Sequence, residues 1–235
     1  MRLAVDWADV DLTGGIAPVG PTEQAKFCYD SASFPNDLCE GLRRYTAADI
    51  AALPPTFPAR QVGDLANGFE ARYLNVARLH FQGLIAAVET DFDVGPGVGR
   101  VGATVFYTHK LEETVFEGAE TRDESGEIDR PKTNAQLNLG YHWNSVDLDW
   151  QTLWRSSVRT QVDVDVEEST ATHVPAYVTH NLTVGYGITD TLRAQAGVVN
   201  VFDKEIDLNA LADGGFSVYD PIGRRYFLSL FAEFR

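Results

Sequence analysis

Two cysteines, Cys28 and Cys39, bracket the stretch CYDSASFPNDLC and are the only thiols in the chain. They show neither CxxC spacing nor a neighbouring histidine, and a zinc site needs about four ligands, so metal binding is not their role. Two outcomes stay open. A local disulfide closing a loop of ~12 residues would contribute roughly 3 kcal/mol on the chain-entropy estimate and would imply an oxidising compartment; the alternative is a pair of free thiols. VDVDVEE, Val162 to Glu168, sets acids at alternate positions that could offer oxygens to calcium, but a polar strand extension presents the same pattern and is the simpler reading. The histidines (His80, His109, His142, His173, His180) show no metal-ligand spacing. GPGVGRVG leads into a strand and not a helix, so it reads as a hairpin turn and not a phosphate cradle. No G-x-S-x-G occurs. Asp147 and Asp149 share a strand face about 6.6 Å apart, a spacing compatible with glycoside chemistry but equally with the polarity of a wet wall. The chain therefore offers no catalytic residue, metal set or cofactor site.

Any such residues would sit on elements shaped by an acidic, 235-residue chain that is 44% hydrophobic. Lys and Arg number 19 against 34 Asp and Glu, a formal net charge of −15. That excludes nucleic acid as a partner, because neutralising phosphates needs a basic surface, and it excludes a basic patch for anionic membranes. No run approaches the ~18 apolar residues of a membrane helix. Met1 opens directly into RLAVDWADVDL, with no basic, apolar and small-residue leader, so no signal peptide is read.

The strongest signal has period two. In TNAQLNLGYHW, Ala135, Leu137, Leu139, Tyr141 and Trp143 share one face and Asn134, Gln136, Asn138, Gly140 and His142 the other. VDLDWQTLW and YVTHNLTVGYGI repeat the split, with His180 the one polar residue on the apolar side of the latter. Such alternation marks half-buried antiparallel strands. Eight are expected, near 2–13, 69–94, 100–115, 132–143, 146–158, 176–188, 191–202 and 223–235. The intervening connections run long, short, long, short, long, short, long, and TAADIAAL (46–53) reads as a short helix capped by Thr46 inside the first long one. Short turns at one rim and long loops at the other, with an apolar outer face and a polar inner one, describe an up-and-down transmembrane β-barrel. Tyr141, Trp143, Trp150 and Tyr186 fall where a lower aromatic girdle belongs, and Trp154 lies about 20 Å further up.

The end of the chain adds a resemblance. VVNVFDKEIDL followed by YDPIGRRYFLSLFAEFR places Asn200, Val201, Phe202, Asp203 and Lys204, then Tyr219, Asp220, Gly223, Arg224, Arg225, Tyr226 and Phe227, in an order that resembles the C-terminal end of TonB-dependent outer-membrane receptors. VPAYVTHNLTVGYGI, with Pro175 and Asn181, resembles the family's third-from-last strand, and the segment with Cys28, Cys39, Arg43 and Arg44 resembles a disulfide-bearing extracellular loop. The resemblance implies an all-β fold: residues 1–235 as the C-terminal portion of the barrel, about eight of its 22 strands, with no plug domain. It implies active uptake of a large or scarce substrate of the siderophore, cobalamin or oligosaccharide class, the chain being a fragment inactive alone. The expected location is the outer membrane of a Gram-negative cell. The expected partners are outer-membrane lipid, the plug and upstream strands, the TonB complex through that plug, and the barrel-assembly machinery. Tyr226, Leu228, Leu230 and Phe234 would face lipid and form the insertion signal that this machinery reads. Two alternatives remain, a complete small eight-stranded outer-membrane barrel of structural or adhesive role and a soluble all-β binding module.

Overall fold

The computed structural model describes residues 1–19, 21–30, 33–36, 39, 42, 44–54, 59–64, 66, 72–114, 121–159, 173–207 and 219–233. Alternating sequence becomes strand wherever it was expected: β1 (Arg2–Val19), β2 (Arg72–Val94), β3 (Gly97–Thr114), β5 (Thr133–Trp143), β6 (Val146–Arg155), β9 (Tyr177–Thr189), β10 (Leu192–Val199) and β11 (Arg225–Ala232). Three two-residue strands, β4 (Arg122–Asp123), β7 (Val158–Arg159) and β8 (His173–Val174), lie in the long connections. The main sheet has the order β1-β2-β3-β5-β6-β9-β10-β11, with β4 alongside β3, and β7 pairs with β8 separately. The short connections are two-residue turns at Gly95-Pro96, Asn144-Ser145 and Asp190-Thr191. Gly95 and Asn144 have φ of 56° and 52°, the left-handed region that glycine and asparagine tolerate best. β1 runs past the expected residue 13 through Gly14, whose φ is 70°.

Contacts divide the chain into two compact units, Met1–Val10 with His80–Glu112 and Asp123–Arg235, and Asp11–Leu79 with Glu113–Arg122. In the second unit the expected loop around the cysteines is partly helical. α1 (Pro21–Asp30) carries Cys28 in its last turn, and Pro21 at the first helical position is the start signal that the loop reading passed over. Cys28 and Cys39 are joined as a disulfide. α2 (Ala47–Ala51) follows Thr46, whose hydroxyl accepts from Asp49 N at 3.2 Å while Asp49 Oδ2 accepts from Thr46 N at 2.8 Å, a reciprocal capping box.

In the first unit, pairing registers convert the period-two pattern into rows across the sheet. Val101, Leu139, Trp150, Leu182, Val198 and Tyr226 stand opposite one another in turn across six strands. The next rows of that face are Tyr141–Leu148–Val184–Ala196–Leu228 and Trp143–Val146–Tyr186–Ala194–Leu230. These residues are half-buried to exposed, up to 75% at Leu228. An apolar face this extensive and this open does not belong against water. The other face carries Asn138, Gln151 and Asn181 in one row and Gly140, Asp149, Thr183, Gly197 and Phe227 in the next. The buried apolar cluster of this unit lies elsewhere, where strand ends meet connections: Ile128, Val158, Val174, Tyr177 and Tyr219, with Ile206 packed on it.

Gly197 shows how tightly the polar face is set. A Cβ there would lie 2.8 Å from the Leu182 carbonyl oxygen and 2.5 Å from the Phe227 ring, which covers the glycine from the neighbouring strand. Gly197→Ala is expected to cost about 1–3 kcal/mol through overpacking, read as a lower urea midpoint of the detergent-folded chain. Gly102→Ala, with open space at the same position, should leave the midpoint unchanged.

Candidate functional site

The motif residues at the chain's end fold into one locked connection between β10 and β11. Asn200 is 1% exposed and has φ of 54°. Its side chain closes a ring on the backbone, Nδ2 donating to Lys204 O at 3.0 Å and Oδ1 accepting from Lys204 N at 2.8 Å. Asp203, also at φ 54°, accepts from Arg224 N at 2.9 Å and from Arg224 Nη2 at 3.3 Å. Gly223, at φ 77°, makes the turn that brings Arg224 there. Phe202 is exposed and its ring stands 5.1 Å edge-on to His180, which is itself 5.3 Å from Trp150 and hydrogen-bonded to Thr152 Oγ1 at 2.9 Å. This histidine on the apolar face is thus capped by aromatic rings and given Thr152, its cross-strand neighbour on the same face, as a partner.

From Asn200 a chain of carboxamides runs across the polar face. Asn200 N donates to Asn181 Oδ1 at 2.9 Å, Asn181 Nδ2 to Gln151 Oε1 at 2.8 Å, Gln151 Nε2 to Asn138 Oδ1 at 3.2 Å, and Gln136 Nε2 to the same Asn138 oxygen at 3.0 Å. No sequence motif marks this ladder, because its members become neighbours only through strand register; amide residues recurring at alternate positions of successive strands were the available sign.

Above the ladder lies a cavity of about 360 Å³ bounded by Arg155, Tyr177, Asn181, Asn200, Tyr219 and Asp220. Tyr177 and Tyr219 meet edge to face at 5.2 Å, and Tyr177 donates its hydroxyl to Lys204 O at 3.3 Å. Asp220 receives Arg225 Nη1 on both oxygens at 2.6 and 2.7 Å. That hydrogen bond, against the opposing effect of burial, holds the Asp220 carboxyl below the usual carboxylate range, helped by the Ile222 N–H. A depressed folded-state pKa gives stability that is present above the ordinary aspartate value and lost as pH falls through the lower, folded value. Acid unfolding should therefore begin with the β10–β11 connection below about pH 4. Asp220→Asn should remove that step from a pH titration followed by limited proteolysis.

Elsewhere the expected residues are separate. Tyr226, Leu228 and Leu230 lie on the exposed apolar face of β11, and Phe234 falls outside the described residues, as do Arg43 and Val162 to Glu168. Asp147 is not a free carboxylate: His142 Nδ1 and Arg193 Nη2 each approach it at 2.7 Å. Arg193 reaches it across Gly185, where a Cβ would lie 2.8 Å from the guanidinium. Among the described residues no group of His, Cys, Asp and Glu is placed to hold a metal ion.

The profile of the family described as TonB dependent receptor-like, beta-barrel, matches residues 38–201. The chain belongs to this family. Two solved receptors share the fold of this TonB-dependent receptor barrel. One is a mutant ferric enterobactin receptor, PfeA, from Pseudomonas aeruginosa in complex with enterobactin, at 16% identity and TM-score 0.59 over 98% of this chain. The other is the siderophore receptor PirA from Acinetobacter baumannii, at 16% identity and TM-score 0.56 over 99% of this chain. The chain spans 29% of the length of each. Among curated protein sequences none matches. The family is one of outer-membrane receptors and transporters and not of enzymes.

Proposed function

We propose that the chain supplies the C-terminal eight strands of a TonB-dependent receptor wall, working in active uptake of a large or scarce substrate of the siderophore, cobalamin or oligosaccharide class. The observation that carries this reading is the pair of ladders on the two faces of one sheet: six apolar residues in register from Val101 to Tyr226, backed by carboxamides from Gln136 to Asn200. A wall between lipid and a wet lumen needs both. In this reading the plug and the remaining strands close the barrel, and the TonB complex acts through the plug. The barrel-assembly machinery reads the lipid face of β11 through Tyr226, Leu228 and Leu230, with Phe234 continuing that series in sequence.

The reading fixes an orientation, with long connections outside the cell and two-residue turns in the periplasm. In cells exporting the chain, a cysteine placed by Ala52→Cys should react with a membrane-impermeant maleimide, and one placed by Ser145→Cys should react only after the outer membrane is opened. Labelling in the opposite sense, or recovery of the chain outside the outer-membrane fraction, would overturn it.

A further inference from the structure

His180 is half-buried on the apolar face of β9, in step with Leu182, Val184 and Tyr186, and the wall reading gives it no task. It belongs to the row Ala103–Leu137–Thr152–His180, one row nearer the two-residue turns than the pair Trp154–Val178. Its neighbours fix where its proton lies. Trp150 Nε1 donates to Thr152 Oγ1 at 3.0 Å, and that oxygen is 2.9 Å from His180 Nδ1. Thr152 has one hydroxyl proton to give, and Nδ1 is the acceptor within its reach. Giving it there leaves the ring's own proton on Nε2. Among the described residues Nε2 has no hydrogen-bond partner. The ring's other neighbours are aromatic: Trp150 at 5.3 Å, and Phe202, 67% exposed, edge-on at 5.1 Å.

A donor without an acceptor is tolerable in water and costly against hydrocarbon, so what covers this face decides what Nε2 meets. In the wall reading, on which this inference rests, the cover is outer-membrane lipid and Trp154 marks its outer boundary. One row is roughly 5 Å of depth along a tilted strand. That keeps His180 inside the interfacial layer, about 5–8 Å thick, between hydrocarbon and water. The polar atoms of a lipid at that depth are acyl carbonyl oxygens, which accept and never donate. We infer that His180 is a lipid-binding residue, its Nε2–H donating to the acyl carbonyl of one outer-leaflet lipid. The chain of that lipid then runs down the rows Leu182–Val198 and Val184–Ala196. A phosphate in the same place would require a cation beside it, and the row that holds His180 contains no Lys or Arg. Thr152 is a positioning residue in this arrangement, since its hydroxyl sets the tautomer that makes Nε2 a donor.

The test is urea-dependent folding into vesicles of a diacyl phosphatidylcholine and, separately, of the dialkyl ether phosphatidylcholine of equal chain length, which differs in lacking the carbonyls. The ester-to-ether ratio of folding constants should be about three- to tenfold larger for the unchanged chain than for His180→Phe or His180→Leu, the net contribution of one hydrogen bond. Both replacements are apolar residues suited to a lipid-facing strand, and effects of the ether lipid on folding at large are common to all the chains and cancel. Leu182→Ala, one row down on the same face, should lower both folding constants and keep the ratio of the unchanged chain. Equal ratios for the unchanged chain and the two His180 variants overturn the lipid site and leave the wall reading intact. A chain that takes up no β-structure in either vesicle by circular dichroism counts against both.

Discussion

Asn200→Ala is expected to lower the stability of the detergent-folded chain by about 2–4 kcal/mol, the sum of a buried hydrogen-bond pair and a backbone conformation that alanine resists. The residue is almost wholly buried at φ 54°. Truncation strands Lys204 N, now held at 2.8 Å, and leaves Lys204 O only the Tyr177 hydroxyl at 3.3 Å. It also replaces a residue tolerant of the left-handed region by one that is not. Asn200→Asp is the informative companion. It keeps the oxygen that accepts from Lys204 N and a short polar side chain suited to positive φ, but loses the donor to Lys204 O. It should therefore fall between the two in urea midpoint. Equal midpoints for Asn200→Ala and the unchanged chain would mean that the connection owes nothing to this ring of bonds.

The second large effect depends on which face of β11 is touched. Leu230 is 68% exposed on the apolar rows, opposite Ala194, and its neighbour Ser229 stands opposite Gln195 on the polar face. Leu230→Arg should cost up to about 2–4 kcal/mol of folding into vesicles, the upper figure being that of a charge at the middle of a bilayer, and Ser229→Arg far less. Folded fractions in urea-dependent vesicle insertion measure both. A penalty of equal size at the two positions would contradict the assignment of the apolar rows to lipid.

The strands were legible because their side chains alternate strictly, and the alternation survives into pairing. Ala135 to Trp143 and Val178 to Ile188 were grouped by spacing alone, and the registers set Leu139 and Leu182 on either side of Trp150. The turns were legible for the same reason, since two-residue connections between period-two segments leave few other solutions. The C-terminal motif was visible as a resemblance, but its physical content was not. Nothing in the string VNVFDK shows that Asn200 closes on Lys204, or that Asp203 waits for a backbone N–H twenty-one positions later. The cavity was further out of reach, because Arg155, Tyr177 and Tyr219 come together from two strands and a connection. α1 was missed for a local reason: the cysteines drew the reading to a loop while the proline that starts the helix lay seven residues ahead of Cys28. Spacing left the cysteines open between a bond and two thiols, and the structure contains the bond.

The ladder from Gln136 to Asn200 is made of groups that do not ionise. Lower on the same face, Asp147 holds Arg193 through charge, a linkage that concentrated salt erodes, and acid erodes the Asp220–Arg225 clasp. Carboxamides answer to neither. The alignment of these strands with the β10–β11 connection is therefore set by bonds whose strength does not follow the composition of the surrounding water. For a wall with one rim open to whatever fluid the cell meets, that amounts to tolerance of changing surroundings: acidification would first loosen the Asp220 clasp of the β10–β11 connection, while the carboxamide ladder across β5, β6 and β9 holds.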